Sequence, residues 1–110
     1  MRVLADYGCH ALWISAERIY ENISPGGLPI SEELAESFDQ WAQEYDLTLN
    51  QDDPLSSGFS TPEEHAGFVR RGLLLAERLR DELGNVWRVV YFDDLARRDI
   101  EVTPGATSGA

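Results

Sequence analysis

The segment from Val86 to Phe92 constrains the fold more than any other part of the chain, because its residues alternate and both alternating sets are apolar. Arg88 is the one polar exception. One set comprises Trp87, Val89 and Tyr91, and the other comprises Val86, Val90 and Phe92. A strand with two apolar faces predicts a central position in a sheet that is covered on both sides. The rest of the 110-residue chain must therefore provide neighbouring strands and a covering layer.

A first amphipathic helix is predicted to begin after Ser31, which is a good N-cap followed by Glu32 and Glu33 in the first turn. Its apolar stripe comprises Leu34, Phe38, Trp41 and Tyr45. We expect this helix to end between Tyr45 and Leu49, and the residues from Asp52 to Gly58 to form a loop.

A second helix is predicted to begin at Thr61, with Pro62 at its first position and Glu64 completing a capping box. It should end at Gly84 and Asn85. Its apolar face comprises Phe68, Leu75, Ala76, Leu79 and Leu83. Leu73 and Leu74 lie off that stripe, which predicts that the helix is covered on more than one side. Gly72 lies on the core face, where another backbone could approach.

The N-terminal third contributes shorter elements. Arg2 to Tyr7 alternates and predicts a strand, and Ala11 to Ile14 predicts a second short one. Ser15 to Ile23 fits either a helical turn or a strand. The order of these elements predicts an α+β fold in which two amphipathic helices pack on a small sheet. We expect one domain over residues 1–102 and a disordered tail over residues 103–110. The first and last strands are predicted to be neighbours in the sheet, either parallel or antiparallel.

The net charge of −11 is concentrated in one third of the chain. Residues 31–64 contain ten acidic residues and no arginine, whereas residues 65–110 contain seven of each. Such a segment repels nucleic acid and anionic membranes and attracts basic partners. It also gives up the ion pairs that helix surfaces usually contain. Glu63, Glu64, Glu32 and Glu33 are explained at least in part by helix capping, so the charge from Glu36 to Asp53 is the part that indicates a binding role.

Cys9 and His10 are the obvious residues to consider as a catalytic pair. A catalytic cysteine needs a base held close in space, and adjacent residues of a strand point to opposite sides. A buried structural Cys9 is therefore the favoured interpretation. The other histidine is His65, in the first turn of the second helix. We predict that the protein is not an enzyme.

Metal binding is also weakly indicated. Asp46, Thr48, Asn50 and Asp52 alternate like the first half of a calcium-binding loop, but Gln51 and Ser57 replace the glycine and glutamate that such a loop needs. The pairs Asp52–Asp53 and Asp93–Asp94 are interpreted as polar ends of elements. We predict neither a metal site nor a cofactor.

The chain is expected in the cytoplasm. A single cysteine forms no intramolecular disulfide, which fits a reducing compartment. The first residues lack the apolar run of a signal peptide, and no window approaches a membrane span.

Several short motifs resemble those of immunity proteins from bacterial polymorphic or contact-dependent toxin systems. They are Asp6-Tyr7-Gly8-Cys9, Leu12-Trp13, Asn22-Ile23-x-Pro25, Leu28-Pro29-Ile30-Ser31 and the segment from Tyr45 to Phe59. The resemblance spans roughly residues 3 to 92. It implies a cytoplasmic inhibitor that binds one cognate toxin domain, often a nuclease, and covers its active site. It provides no residue-level site.

The leading hypothesis is thus an acidic protein that binds and neutralises a basic partner, with no nucleic acid or membrane as ligand. The predicted contacts are Glu32, Glu36, Asp39, Gln43, Asp46, Asp52, Asp53, Ser57, Gly58 and Phe59. Phe59 is the candidate apolar anchor, because a few aromatic residues often dominate interface energy. The alternative is a non-enzymatic oligomeric or regulatory module, and the oligomeric state is left open.

Overall fold

The computed structural model of the chain describes residues 1–16, 19–48, 58–59, 61–84 and 87–102. Its strands are β1 (Arg2–Val3), β2 (Leu12–Ala16), β3 (Ile19–Ile23), β4 (Val89–Asp93) and β5 (Arg98–Val102). Its helices are α1 (Glu32–Asp46) and α2 (Pro62–Leu83), preceded by a short 3-10 turn at Pro25–Gly27. The predicted α+β class, with two helices on a small sheet, is confirmed.

The five strands form one mixed sheet in the order β3-β2-β1-β4-β5. The β1 strand pairs parallel to β4 and antiparallel to β2, and the remaining pairs are antiparallel. The predicted neighbours β1 and β4 are therefore adjacent, and their direction is parallel. The β4 strand lies between β1 and β5, so its predicted internal position is confirmed, but it covers Val89–Asp93 and does not include Trp87 and Arg88.

The helices cover one face of the sheet. Val89 and Tyr91 point into this core, where each is at most 1% exposed. Leu34, Phe38 and Trp41 of α1 meet them from the helix layer. On the opposite face, the guanidinium groups of Arg2 and Arg97 lie 5.4 and 5.1 Å from the centre of the Phe92 ring. The second apolar face of β4 is thus covered in part by arginine side chains.

Both helix starts follow the sequence. The Ser31 hydroxyl accepts a hydrogen bond from the Leu34 N–H, and the Thr61 hydroxyl accepts one from the Glu64 N–H. Pro62 occupies the first turn of α2, and Gly84 ends it with φ of +76°. Asn85, the loop residues 52–57 and the predicted tail 103–110 lie outside the described residues.

Two local predictions are wrong, one open alternative is resolved and one strand was missed. The first strand covers only Arg2–Val3, because the chain turns at Tyr7 to Cys9. The ambiguous segment after Ser15 contains a strand, β3, which pairs with β2. The β5 strand was not predicted. Leu74 is 59% exposed, so the second side of α2 is not covered there.

Gly72 was expected to admit another backbone, but side chains occupy the space. A Cβ built on Gly72 would lie against the Trp41 ring and 2.5 Å from the Tyr91 hydroxyl oxygen. Both side chains bond to α2 one turn earlier: the Trp41 indole N–H donates to the Phe68 carbonyl, and the Tyr91 hydroxyl donates to the Val69 carbonyl. Gly72 is therefore the point at which α1, α2 and the sheet converge.

Candidate binding surface

Five of the predicted contact residues lie on one exposed face of α1, which we call the acidic stripe: Glu32, Glu36, Asp39, Gln43 and Asp46. Their spacing of three and four residues places them one above another along the helix. The stripe begins beside the N-cap Ser31 and reaches the last residue of α1. It is continuous because the buried residues of α1 all fall on its other side.

The turn from Asp6 to His10 borders the stripe. The Gly8 N–H donates to the Asp46 carboxylate over 2.9 Å, and Gly8 has φ of +71°, which favours glycine. The rings of Tyr7 and Tyr45 lie 4.7 Å apart, and the hydroxyls of Tyr7 and Thr48 are 3.1 Å apart. These contacts hold the turn against the C-terminal end of α1.

A shallow cavity of about 250 Å³ separates this turn from α1. It is lined by Cys9 and His10 on one side and by Asp39, Gln43 and Asp46 on the other. The sequence reasoning did not include the turn in the binding surface. In the sequence, Gly8 indicates a turn at this point, but only the fold shows which helix the turn contacts.

Cys9 is half-buried rather than buried, so the expectation of a buried cysteine is wrong. Burial, followed by the nearby carboxylates of Asp6 and Asp46, raises the pKa of its thiol. A raised pKa keeps the thiol protonated at neutral pH, whereas a nucleophilic cysteine needs a lowered one. His10 is exposed, and its backbone N–H donates to the Asn22 side chain.

His65 has a different partner. Its Nε2 lies 2.6 Å from the Asp94 carboxylate, which also pairs with Arg97 at 2.8 Å. The ring of Phe59 stacks on the imidazole with centroids 4.8 Å apart. Asp93, the neighbouring acid, accepts bonds from the N–H groups of Leu95 and Ala96. Asp93 and Asp94 thus stabilise the turn between β4 and β5 and hold it to α2.

Two acids of α1 outside the stripe are neutralised from α2. Arg71 donates to both carboxylate oxygens of Glu44 at 3.0 Å, and Arg78 pairs with Glu33 at 3.4 Å. In contrast, Glu32, Glu36 and Asp39 form no ion pair with any residue that the structure describes. The packing of the helices therefore confines the uncompensated charge of α1 to the stripe.

Gly58 and Phe59 lie beside the C-terminal end of α1 and are not part of the stripe. The Gly58 N–H donates to the Thr48 carbonyl, and Phe59 packs half-buried against Tyr45 and Phe68 as well as His65. Much of the Phe59 ring is thus engaged within the protein. Asp52, Asp53 and Ser57 lie outside the described residues.

The described residues contain no cluster of three His, Cys, Asp or Glu side chains able to hold a metal ion. Of the calcium-like motif, Asp46 and Thr48 are described, and both engage protein atoms. Neither described helix combines the length and hydrophobicity that a bilayer crossing requires.

The model of a family described as Serratia CdiI immunity protein-like matches residues 1–94, which include the acidic stripe, both helices and β1 to β4. No curated protein matches the chain.

Proposed function

The chain belongs to the Serratia CdiI immunity protein-like family, and from this membership we propose that it binds a cognate toxin domain and neutralises it in the cytoplasm. The match covers the whole described helix layer and most of the sheet. Neutralisation by binding needs an exposed surface that is complementary to the toxin.

The acidic stripe is the surface we assign to this contact. Its carboxylates are exposed, they are aligned along one helix face, and Glu32, Glu36 and Asp39 have no ion-pair partner among the described residues. This is the observation that carries the proposal, because uncompensated like charges repel one another and are stabilised when a basic surface covers them. The partner domain is therefore basic, as the active-site cleft of a nuclease is.

Binding rather than catalysis is the proposed mode of action. The raised pKa of Cys9 disfavours its thiolate, and His65 is held by Asp94 beneath the Phe59 ring. Covering the toxin's cleft needs no reacting group on this chain. The other predicted contacts, Asp52, Asp53, Ser57, Gly58 and Phe59, remain part of this proposal.

Charge reversal tests this assignment. Glu36→Arg and Asp39→Arg, made singly and together, should slow association with the cognate toxin domain, by about ten-fold for the double variant. The dependence of the association rate on salt should also become weaker. Stopped-flow or surface plasmon resonance measurements at several ionic strengths give both quantities.

Glu21→Arg is the matched control for each single variant, because Glu21 is also exposed but lies on strand β3 and not on α1. It makes the same change in net charge. If it slows association as much as Glu36→Arg does, only the overall charge matters and the stripe is not the contact.

A further inference from the structure

A long groove runs between α1 and α2 on the outer surface of the helix layer, beside the acidic stripe but separate from it. Successive helical residues rotate by about 100°, so Glu33, Ser37 and Glu44 face α2 while the stripe faces away. One section of the groove encloses about 310 Å³ and is lined by Ser37, Gln40, Trp41, Leu74 and Leu75. A second section of about 330 Å³ is lined by Leu47, Thr48, Phe59 and Glu64.

The two sections meet at one ion pair. Arg71 and Glu44 line both of them, and their bidentate contact crosses the groove at the junction. The two side chains are 54% and 46% exposed. A half-exposed pair of this kind contributes little to stability and can exchange partners readily.

Exposed leucines flank the ion pair on both sides. Leu47 is 79% exposed in the second section, and Leu74 is 59% exposed in the first. They are two of the three large hydrophobic side chains that are exposed among the described residues, the third being Leu95. Apolar contact area is thus available on either side of a carboxylate.

We propose that this groove receives a segment of the cognate toxin in which a basic side chain lies between apolar ones. The basic group replaces Arg71 as the partner of Glu44, and the apolar groups pack on Leu47 and Leu74. Both carboxylate oxygens of Glu44 accept from one nitrogen, Nη2, of Arg71, so a single cationic N–H group is enough to take its place. This inference rests on the proposed function and adds a second contact surface to it.

Charge argues for this occupant over a second copy of the chain. The carboxylates of Glu44 and Glu64 outnumber the single arginine of the lining, and the chain as a whole carries a net charge of −11. Two identical acidic surfaces would repel each other, whereas a basic partner is attracted to both the stripe and the groove.

Replacement of the leucines is the first test. The double variant Leu47→Gln/Leu74→Gln should bind the purified toxin domain about ten-fold more weakly, since two apolar contacts are lost. Leu95→Gln is the matched control, because Leu95 is 50% exposed in the turn after β4 and lines neither section. It should leave the dissociation constant unchanged. All three residues are exposed, so the fold should be retained, and thermal unfolding verifies this.

The ion pair provides the second test, because replacing its two residues should change the affinity for the toxin domain in opposite directions. Arg71→Gln frees Glu44 and should tighten toxin binding about three-fold, whereas Glu44→Gln should weaken it by a similar factor. A merely structural role of the pair would lower the stability of both variants and would leave binding unchanged.

The outcomes are separable. If wild-type protein binds the toxin domain and the leucine variant binds equally well, the groove is not a contact, although the proposed function stands. If Arg71→Gln and Glu44→Gln shift binding in the same direction, Glu44 does not exchange partners. Failure of the wild-type protein to bind the toxin overturns both proposals. A homodimer that the leucine variant converts to monomer would assign the groove to a second copy instead.

Discussion

Gly72 illustrates how much depends on a single missing side chain. The Trp41 ring and the Tyr91 hydroxyl occupy the space where its Cβ would lie, and both are held there by hydrogen bonds to carbonyls of α2. Trp41 also stacks on Phe68 with centroids 4.5 Å apart. The cost of glycine in a helix, about 1 kcal/mol relative to alanine, is offset by this close packing.

Gly72→Ala should therefore lower the free energy of unfolding by about 2 kcal/mol, because overpacking costs more than the improved helix propensity gains. Gly67→Ala in the same helix is the control. The nearest atom to its Cβ would be the Arg71 guanidinium at 3.8 Å, so this substitution should stabilise the protein by up to about 1 kcal/mol. Urea denaturation measures both. Equal stabilisation by the two substitutions would show that the space at Gly72 is not restricted.

Sequence could predict individual residues only where their role is local. The caps at Ser31 and Thr61 and the burial of Trp41 followed from spacing alone. The neutralisation of Glu33 and Glu44 could not, because their arginine partners come from another helix. Some of the ten acids in the arginine-free segment 31–64 are therefore neutralised by arginines of α2 in the folded protein.

At the scale of elements, the two helices support each other's ends. The Ser31 N–H donates to the Glu82 carboxylate over 2.6 Å, and the Ser31 hydroxyl donates to its second oxygen. In a capping box, an acid three residues into the same helix accepts the N-cap N–H. Here Leu34 occupies that position, and Glu82 of α2 supplies the carboxylate instead. The start of α1 and the end of α2 are therefore joined.

Glu82→Ala should destabilise the protein by about 1–2 kcal/mol, since the cap loses two hydrogen bonds to a charged acceptor. Glu82→Gln retains an acceptor oxygen and should lose less. Chemical denaturation of the three proteins checks this order. Equal stability of the alanine variant and the wild type would mean that the cap does not depend on α2.

The elements that the sequence did not predict are short strands. Their local sequence pattern is weak, and they are stabilised by pairing within the sheet. Arg98 to Val102 forms the edge strand β5, in which Ile100 and Val102 alternate with charged residues, but no strand was predicted there. Their charges are satisfied across the sheet, since Asp99 pairs with Arg2 and Glu101 with Arg88. The hairpin of β2 and β3 was similarly ambiguous, because short strands gain their stability from pairing.

On the scale of the whole molecule, the absence of lysine simplifies the response to alkali. Arginine keeps its charge beyond pH 12, so tyrosine and the Cys9 thiol are the side chains that titrate above neutrality. Burial, with a smaller contribution from Asp94, raises the pKa of Tyr45 to about 12. Burial likewise raises the pKa of Tyr91.

The protein should therefore lose stability as the pH rises above about 10. The unfolded state releases tyrosine protons near pH 10, whereas the folded state keeps Tyr45 neutral until about pH 12. The contribution is complete below pH 10 and is lost between these values. Denaturation between pH 8 and pH 11.5 measures the loss, and Tyr45→Phe should reduce it. An identical pH dependence for that variant would contradict the assignment.

The place of β1 in the sheet has a consequence for synthesis. Arg2 and Val3 are made long before Val90 and Tyr91, yet they pair with them and lie in the middle of the sheet. During synthesis, β1 can therefore pair with β4 only after the residues between them have been made. Contacts so distant in sequence slow folding. The folded protein thus forms late, after β4 has left the exit tunnel.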